Sequence, residues 1–212
     1  MTSAIILGAT GQVGHALLQA ALASPEISQV VAPTRRALTG QGRLANPIVD
    51  FEKLPENADW WHADIVYCAL GTTLRQAKSK ERFYRVDHDY ILAAAELAHK
   101  AGTPTFCLVS ALGADPSSFI FYNRVKGLTE KDLSVLGFQS LTIVRPSLLI
   151  GGPRASARPL ESLGLFIGKH LSALLPRHYR AVSVQAVAQT LFKAGLRAEH
   201  GLNIIESEKI LI

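Results

Sequence analysis

The sequence predicts an α/β fold: a doubly wound parallel sheet with helices on both faces and a short carboxyl-terminal cap. Three observations predict it. Apolar runs of strand length alternate with helix-length amphipathic segments along the chain, the pattern of βαβ units whose sheet is buried on both faces. A glycine-rich turn joins the first such run to the first helix. The 212 residues suffice for one well-buried core and leave little for a second. Residues 1–212 are therefore expected to form one domain, with 146–212 supplying the substrate-side cap and the last helix and strand.

The elements follow in order. Residues 4–7 read as a first buried strand and 11–23 as a helix in which Val13, Leu17, Leu18, Ala21 and Leu22 form a sheet-facing stripe, ended by Ser24 and Pro25. Short apolar runs at 30–32, 47–49 and 64–70 supply the second, third and fourth strands. A long helix over 81–100 stops at Gly102 and Pro104, and a fifth strand covers 105–109. A helix over 119–136 closes at Gly137, and the sixth strand covers 141–144 before Pro146. Beyond it lie helices over 160–175 and 184–196 and a terminal strand at 202–205, expected to lie over the substrate side.

Composition excludes several classes. With 48% hydrophobic residues, ordinary Gly and Pro and no repeat, the chain is globular. Every apolar stretch is interrupted well before the roughly 18 residues of a spanning helix, and the amino terminus lacks a basic leader region, so a cytoplasmic protein with no membrane partner is expected. The net charge of +5 invites a nucleic-acid reading, but the one dense basic segment, Arg75, Lys78, Lys80, Arg82 and Arg85, reads as a solvated helix start, and no nucleic acid is expected. Cys68 and Cys107 sit in strand-like runs and read as core thiols; none of the seven histidines has metal-ligand spacing.

The glycine turn carries the binding chemistry. Gly8-Ala9-Thr10-Gly11-Gln12-Val13-Gly14 follows a strand and opens a helix, with glycines at intervals of three. That turn lets backbone approach a pyrophosphate, and the helix amino terminus offers unpaired N–H groups and about half a positive charge. A turn that merely links strand to helix is the alternative; its place at the first βα junction favours a Rossmann dinucleotide site formed by Gly8, Thr10, Gly11, Gln12, Val13 and Gly14. An NAD-preferring site carries an acid after the second strand, whereas this chain has Arg35 and Arg36, suited to a 2′-phosphate. NADP(H) is therefore the expected cofactor, the alternative being two solvated arginines. Asp50, Leu70, Gly71 and Thr72 follow the third and fourth strands at the ligand edge and complete the expected cofactor contacts.

Ser110 ends the fifth strand, and Tyr122 and Lys126 lie four apart on one helical face. An ammonium beside a phenol stabilises the phenolate, which suits Tyr122 to acid–base work, while Ser110 would orient a substrate oxygen. The chain resembles the atypical, extended-type branch of the short-chain dehydrogenase/reductase superfamily through the glycine turn, Ser110 and Tyr122-Asn123-Arg124-Val125-Lys126. Within it, Cys68-Ala69-Leu70-Gly71-Thr72-Thr73, Val109-Ser110-Ala111-Leu112-Gly113-Ala114, Lys126-Gly127 and Val144-Arg145-Pro146-Ser147 resemble the Tat-interacting protein group and its bacterial relatives.

The resemblance implies NADP(H) binding, an active-site triad of Ser110, Tyr122 and Lys126, and contact of Lys126 with the nicotinamide ribose. Many members carry an asparagine on the preceding helix, where this chain reads Val86-Asp87-His88-Asp89. Arg145, Arg154 and Arg158 are open between one of them binding an anionic substrate or the pyrophosphate and a purely structural reading, in which Arg145 pairs with a core carboxylate and the other two are solvated. The expected function is NADPH-dependent reduction of a small carbonyl compound, with Tyr122 as proton donor. The alternative is a cofactor-sensing module that binds a protein partner; a homodimer through the two long helices is compatible with both.

Overall fold

The structure, a computed structural model, describes residues 2–39, 42–151 and 176–210. Its strands are β1 (Thr2–Leu7), β2 (Ile27–Val31), β3 (Leu44–Ala45), β4 (Ile65–Cys68), β5 (Thr105–Val109), β6 (Ser140–Arg145), β7 (Leu149–Ile150), β8 (Val182–Ser183) and β9 (Gly201–Glu206). The helices described are α1 (Gln12–Ala23), α2 (Leu74–Ala77), α3 (Lys80–Tyr84), α4 (Tyr90–Lys100), α5 (Phe121–Val135) and α6 (Val184–Arg197). Among the described residues, seven strands make one sheet in the order β3-β2-β1-β4-β5-β6-β9, every neighbour parallel. β7 and β8 form a separate parallel pair.

The apolar alternation along the strands fills both faces. Ala4 and Ile6 join a core cluster with Leu17 and Leu18 of α1 and Val187 and Leu191 of α6. Ile5 and Leu7 point into the other cluster, with Ile91 and Ala94 of α4 and Leu133 of α5. A sheet buried on both sides needs such unbroken apolar runs, and each fully buried aliphatic side chain contributes about 1.5–3 kcal/mol.

Four elements differ from the sequence reading. The third ladder lies at Leu44–Ala45, not at 47–49; Pro47 has no N–H to extend it, and only a bridge between Thr34 and Ile48 follows. The helix expected over 81–100 contains a π turn at Arg85–Asp89 between α3 and α4, and this wider turn buries two consecutive side chains, Asp87 and His88. The last helix and strand lie in the main sheet layers instead of over the substrate side. β9 pairs with β6 along its length, and the apolar stripe of α6 shares the cluster of α1. The expected helix over 160–175 falls outside the described residues.

Candidate active site

The chain runs from β1 outward to β2 and β3, then returns to place β4 on the other side of β1. That reversal opens a crevice at the carboxyl ends of β1 and β4, where ligands lie in such sheets. Gly8 ends β1 with φ of +85°, and a Cβ there would sit 2.6 Å from the Ala69 carbonyl carbon beyond β4. A Cβ on Gly14 would fall 2.1 Å from the Gly8 oxygen, so the turn and α1 pack this closely only without side chains. Gly11 N donates to Gly8 O at 2.8 Å and closes the turn. α1 starts with no side-chain cap and no acidic residue in its first turn, leaving its N–H groups and dipole for an anion. Thr10 and Gly11 are exposed and Gln12 is half-buried, whereas Val13 and Gly14 pack inward.

Around this crevice the other expected contacts take different roles. Arg35 and Arg36 are exposed just past β2, where the Thr34 hydroxyl donates to Arg36 O at 2.6 Å. Asp50 is exposed and its Oδ1 accepts from Glu52 N at 3.0 Å. Leu70 is half-buried and Gly71 exposed, while Thr72 N donates to Asp87 Oδ2 at 2.8 Å.

Lys126 and Asp87 form a buried ion pair, Nζ to Oδ1 2.8 Å, with residue exposures of 5% and 0%. Burial pulls the Lys126 ammonium toward neutrality, but the Asp87 carboxylate, with the nearby Tyr122, outweighs it and holds Lys126 above the usual lysine range. Burial pushes the Asp87 carboxyl up, against the pull of Lys126 and the Thr72 N–H. Tyr122, one turn before Lys126 on α5, is half-buried with its ring 5.5 Å from that of Phe83. It lines a cleft of about 290 Å³ with Ala111, Leu112, Pro146, Ser147 and Tyr179. A larger hollow of about 550 Å³, lined by Ser3, Gln29, Asn46, Trp60 and His62, lies toward the amino ends of β1 and β4, away from this edge.

Ser110 is drawn elsewhere. Its hydroxyl donates to Glu130 Oε1 in a buried contact. Glu130 also takes the guanidinium of Arg145, Nη2 to Oε2 2.6 Å, and Arg145 Nη1 reaches Glu206 Oε1 at 2.8 Å. The hydrogen-bonded carboxylates hold the Arg145 guanidinium well above its usual range. Of the two readings open for Arg145, the structure takes the carboxylate pairing. Arg154 and Arg158 fall outside the described residues.

Thus Tyr122, Lys126, Asp87 and Thr72 come together at the carboxyl edge, and Ser110 joins a carboxylate–guanidinium network. Sequence reasoning missed Glu130, although Tyr122, Lys126 and Glu130 recur at four-residue steps along one helical face. His88 does not enter the cleft set; its ring nitrogens meet Asp89 at 2.8 Å and Asp132 at 2.9 Å. No group of His, Cys, Asp and Glu among the described residues could hold a metal ion. Cys68 and Cys107 are wholly buried, which pushes each thiol up to about 12. No helix among the described residues is long and apolar enough to cross a membrane.

Residues 8–194 match the family described as NAD(P)H-binding. Protein HTATIP2 of Rattus norvegicus is 42% identical over 166 residues, which cover 76% of this chain and 68% of that protein. "Protein fmp52, mitochondrial" of Emericella nidulans is 32% identical over 224 residues, 99% of this chain and 94% of that protein. In fold, the chain is similar to MoeE5 in complex with UDP-glucose and NAD, at TM-score 0.74 and 16% identity, covering 95% of this chain and 74% of that one. It is also similar to the PhqB reductase domain from Penicillium fellutanum, at TM-score 0.68 and 18% identity, covering 96% of this chain and 66% of that one.

Proposed function

The chain belongs to the NAD(P)H-binding family, as an oxidoreductase-like Rossmann protein of the short-chain dehydrogenase/reductase type, and from that premise we propose that it reduces a small carbonyl compound with NADPH. The observation that carries the proposal is the Tyr122–Lys126 pair on α5, with the Lys126 ammonium buried and held by Asp87 at the edge where the glycine turn lies. The residues present fit a dinucleotide: the start of α1 is uncapped and free of acid, and the Gly8–Gly14 packing lets its backbone approach a pyrophosphate. When bound, the nicotinamide supplies hydride.

The chain's own residues do the rest. Lys126 stabilises charge on the Tyr122 oxygen, and Tyr122 gives its proton to the carbonyl oxygen as charge develops there. Ser110 must turn its hydroxyl away from Glu130 before it can donate to that oxygen, so it is the lesser contributor. Arg35 and Arg36 meet the 2′-phosphate, which is the basis for NADPH over NADH. We place the protein in the cytoplasm, to be checked by fractionation.

The test is NADPH oxidation with a panel of aldehydes, ketones and quinones. Tyr122→Phe is expected to lower kcat by about 10²–10⁴-fold, and Ser110→Ala by less. An unchanged rate in Tyr122→Phe overturns the mechanism. The commitment of Ser110 to Glu130 favours a second reading, a cofactor sensor that binds a protein partner without turnover. In that case a partner complex responds to the NADP⁺/NADPH ratio, persists in Tyr122→Phe and weakens in Gly11→Asp.

A further inference from the structure

Asp87 sits in the one π turn among the described helices and is wholly buried. Its oxygens face groups of the site. Oδ1 stands 2.8 Å from the Lys126 ammonium, an ion pair that falls outside hydrogen-bond geometry, Oδ2 accepts from the Thr72 N–H, and the backbone carbonyl accepts from the Thr129 hydroxyl at 2.8 Å. A Cβ on Gly71 would stand 3.1 Å from Oδ1, so the loop after β4 closes down on this carboxylate. Asp87 therefore ties the π turn, the cofactor-edge loop and α5 to one point.

The geometry points to Asp87 as a positioning residue that acts through Lys126: it fixes the ammonium beside Tyr122 and governs when the Tyr122–Lys126 pair gives up its first proton. This rests on the reading of Tyr122 as proton donor. The charged and titratable groups facing Lys126 are Asp87 from the π turn, Tyr122 from its own helix and Cys68 from β4. Cys68 is a neutral thiol across the working range, and Glu130, one turn further along α5, is committed to Arg145 and Ser110. Asp87 is thus the one fixed negative charge in this group of facing residues. Without it, a buried ammonium faces a phenol with nothing to balance it. Whichever of the two then loses its proton first, the pair does so at lower pH, because the positive charge is no longer compensated. Reduction needs the fully protonated pair, so its alkaline limit moves with this step.

The test is a pH titration by NMR of the full chain labelled at tyrosine Cζ and lysine Nζ, with Tyr122→Phe and Lys126→Met assigning the two signals. In the wild type, Lys126 is expected to stay charged past the ordinary lysine value of about 10.4. In Asp87→Asn, the first titration of the Tyr122–Lys126 pair is expected to fall by about one pH unit or more. The alkaline limb of kcat for carbonyl reduction should move by the same amount. Equal pair titrations in wild type and Asp87→Asn overturn the inference, as does a wild-type Lys126 that titrates below the ordinary value. The wild-type result decides if Asp87→Asn does not fold. A wild type that turns over no carbonyl ends the proposed function, and the titration still decides the role of Asp87.

Discussion

At the scale of single residues, the site divides into groups that local spacing discloses and groups that only the fold brings together. Arg35 belongs to the first kind, and its proposed role has a direct consequence. Arg35→Ala should raise the dissociation constant for NADPH by about 10–100-fold, the loss of charge-assisted hydrogen bonds to a phosphate, and leave that for NADH unchanged. Equal effects on both cofactors, read by fluorescence titration, contradict the role. The glycine turn and the Tyr122–Lys126 pair were legible because each is a short-range pattern tied to a helix. The partner of Ser110 was not, since Glu130 stands 20 residues away and meets it only when α5 packs beside the end of β5. Asp87 was visible as a departure from asparagine, but a one-dimensional reading has no signal for the π turn that buries it against Lys126.

At the scale of elements, the network of Arg145, Glu130 and Glu206 joins β6, α5 and β9. Arg145→Met removes the partner of Glu130, whose side chain is 8% exposed. Chemical denaturation should therefore show a loss of about 3 kcal/mol, the low end for breaking a buried pair because Arg145 is itself partly solvated. Glu130→Gln in the Arg145→Met background should recover part of that loss, and strict additivity of the two changes would deny the coupling. The main strands were legible from apolar runs, because a sheet buried on both faces demands them. The edges were less so: Pro47 interrupts the ladder that its apolar neighbours suggested. β9 shows alternating exposure as an edge strand, and nothing local in 202–205 says which strand it will join.

At the scale of the whole molecule, two wholly buried thiols tie stability to alkalinity. In the unfolded chain Cys68 and Cys107 lose protons near the ordinary value of 9.0, but in the fold not until about 12. Between those values the unfolded state binds fewer protons than the native state, so stability is complete below about pH 9 and falls as pH rises toward 12, by about 1.4 kcal/mol per pH unit per thiol. Thermal melts from pH 8 to 11 should fall accordingly, and Cys68→Ala should flatten the slope; a melting temperature constant over that range contradicts it. The same global topology, with β1 and β4 adjacent at the point where strand order reverses, sets the crevice on which the functional account depends. The proposed reduction stands on NADPH lying across the turn from Gly8 to Gly14. The most direct measurement is a fluorescence titration with NADPH of the wild type and of Gly11→Asp, which puts a carboxylate where the pyrophosphate would lie. Saturable binding by the wild type, weakened at least about 100-fold in a Gly11→Asp protein with unchanged circular dichroism, is the predicted result; equal affinity in the two contradicts it.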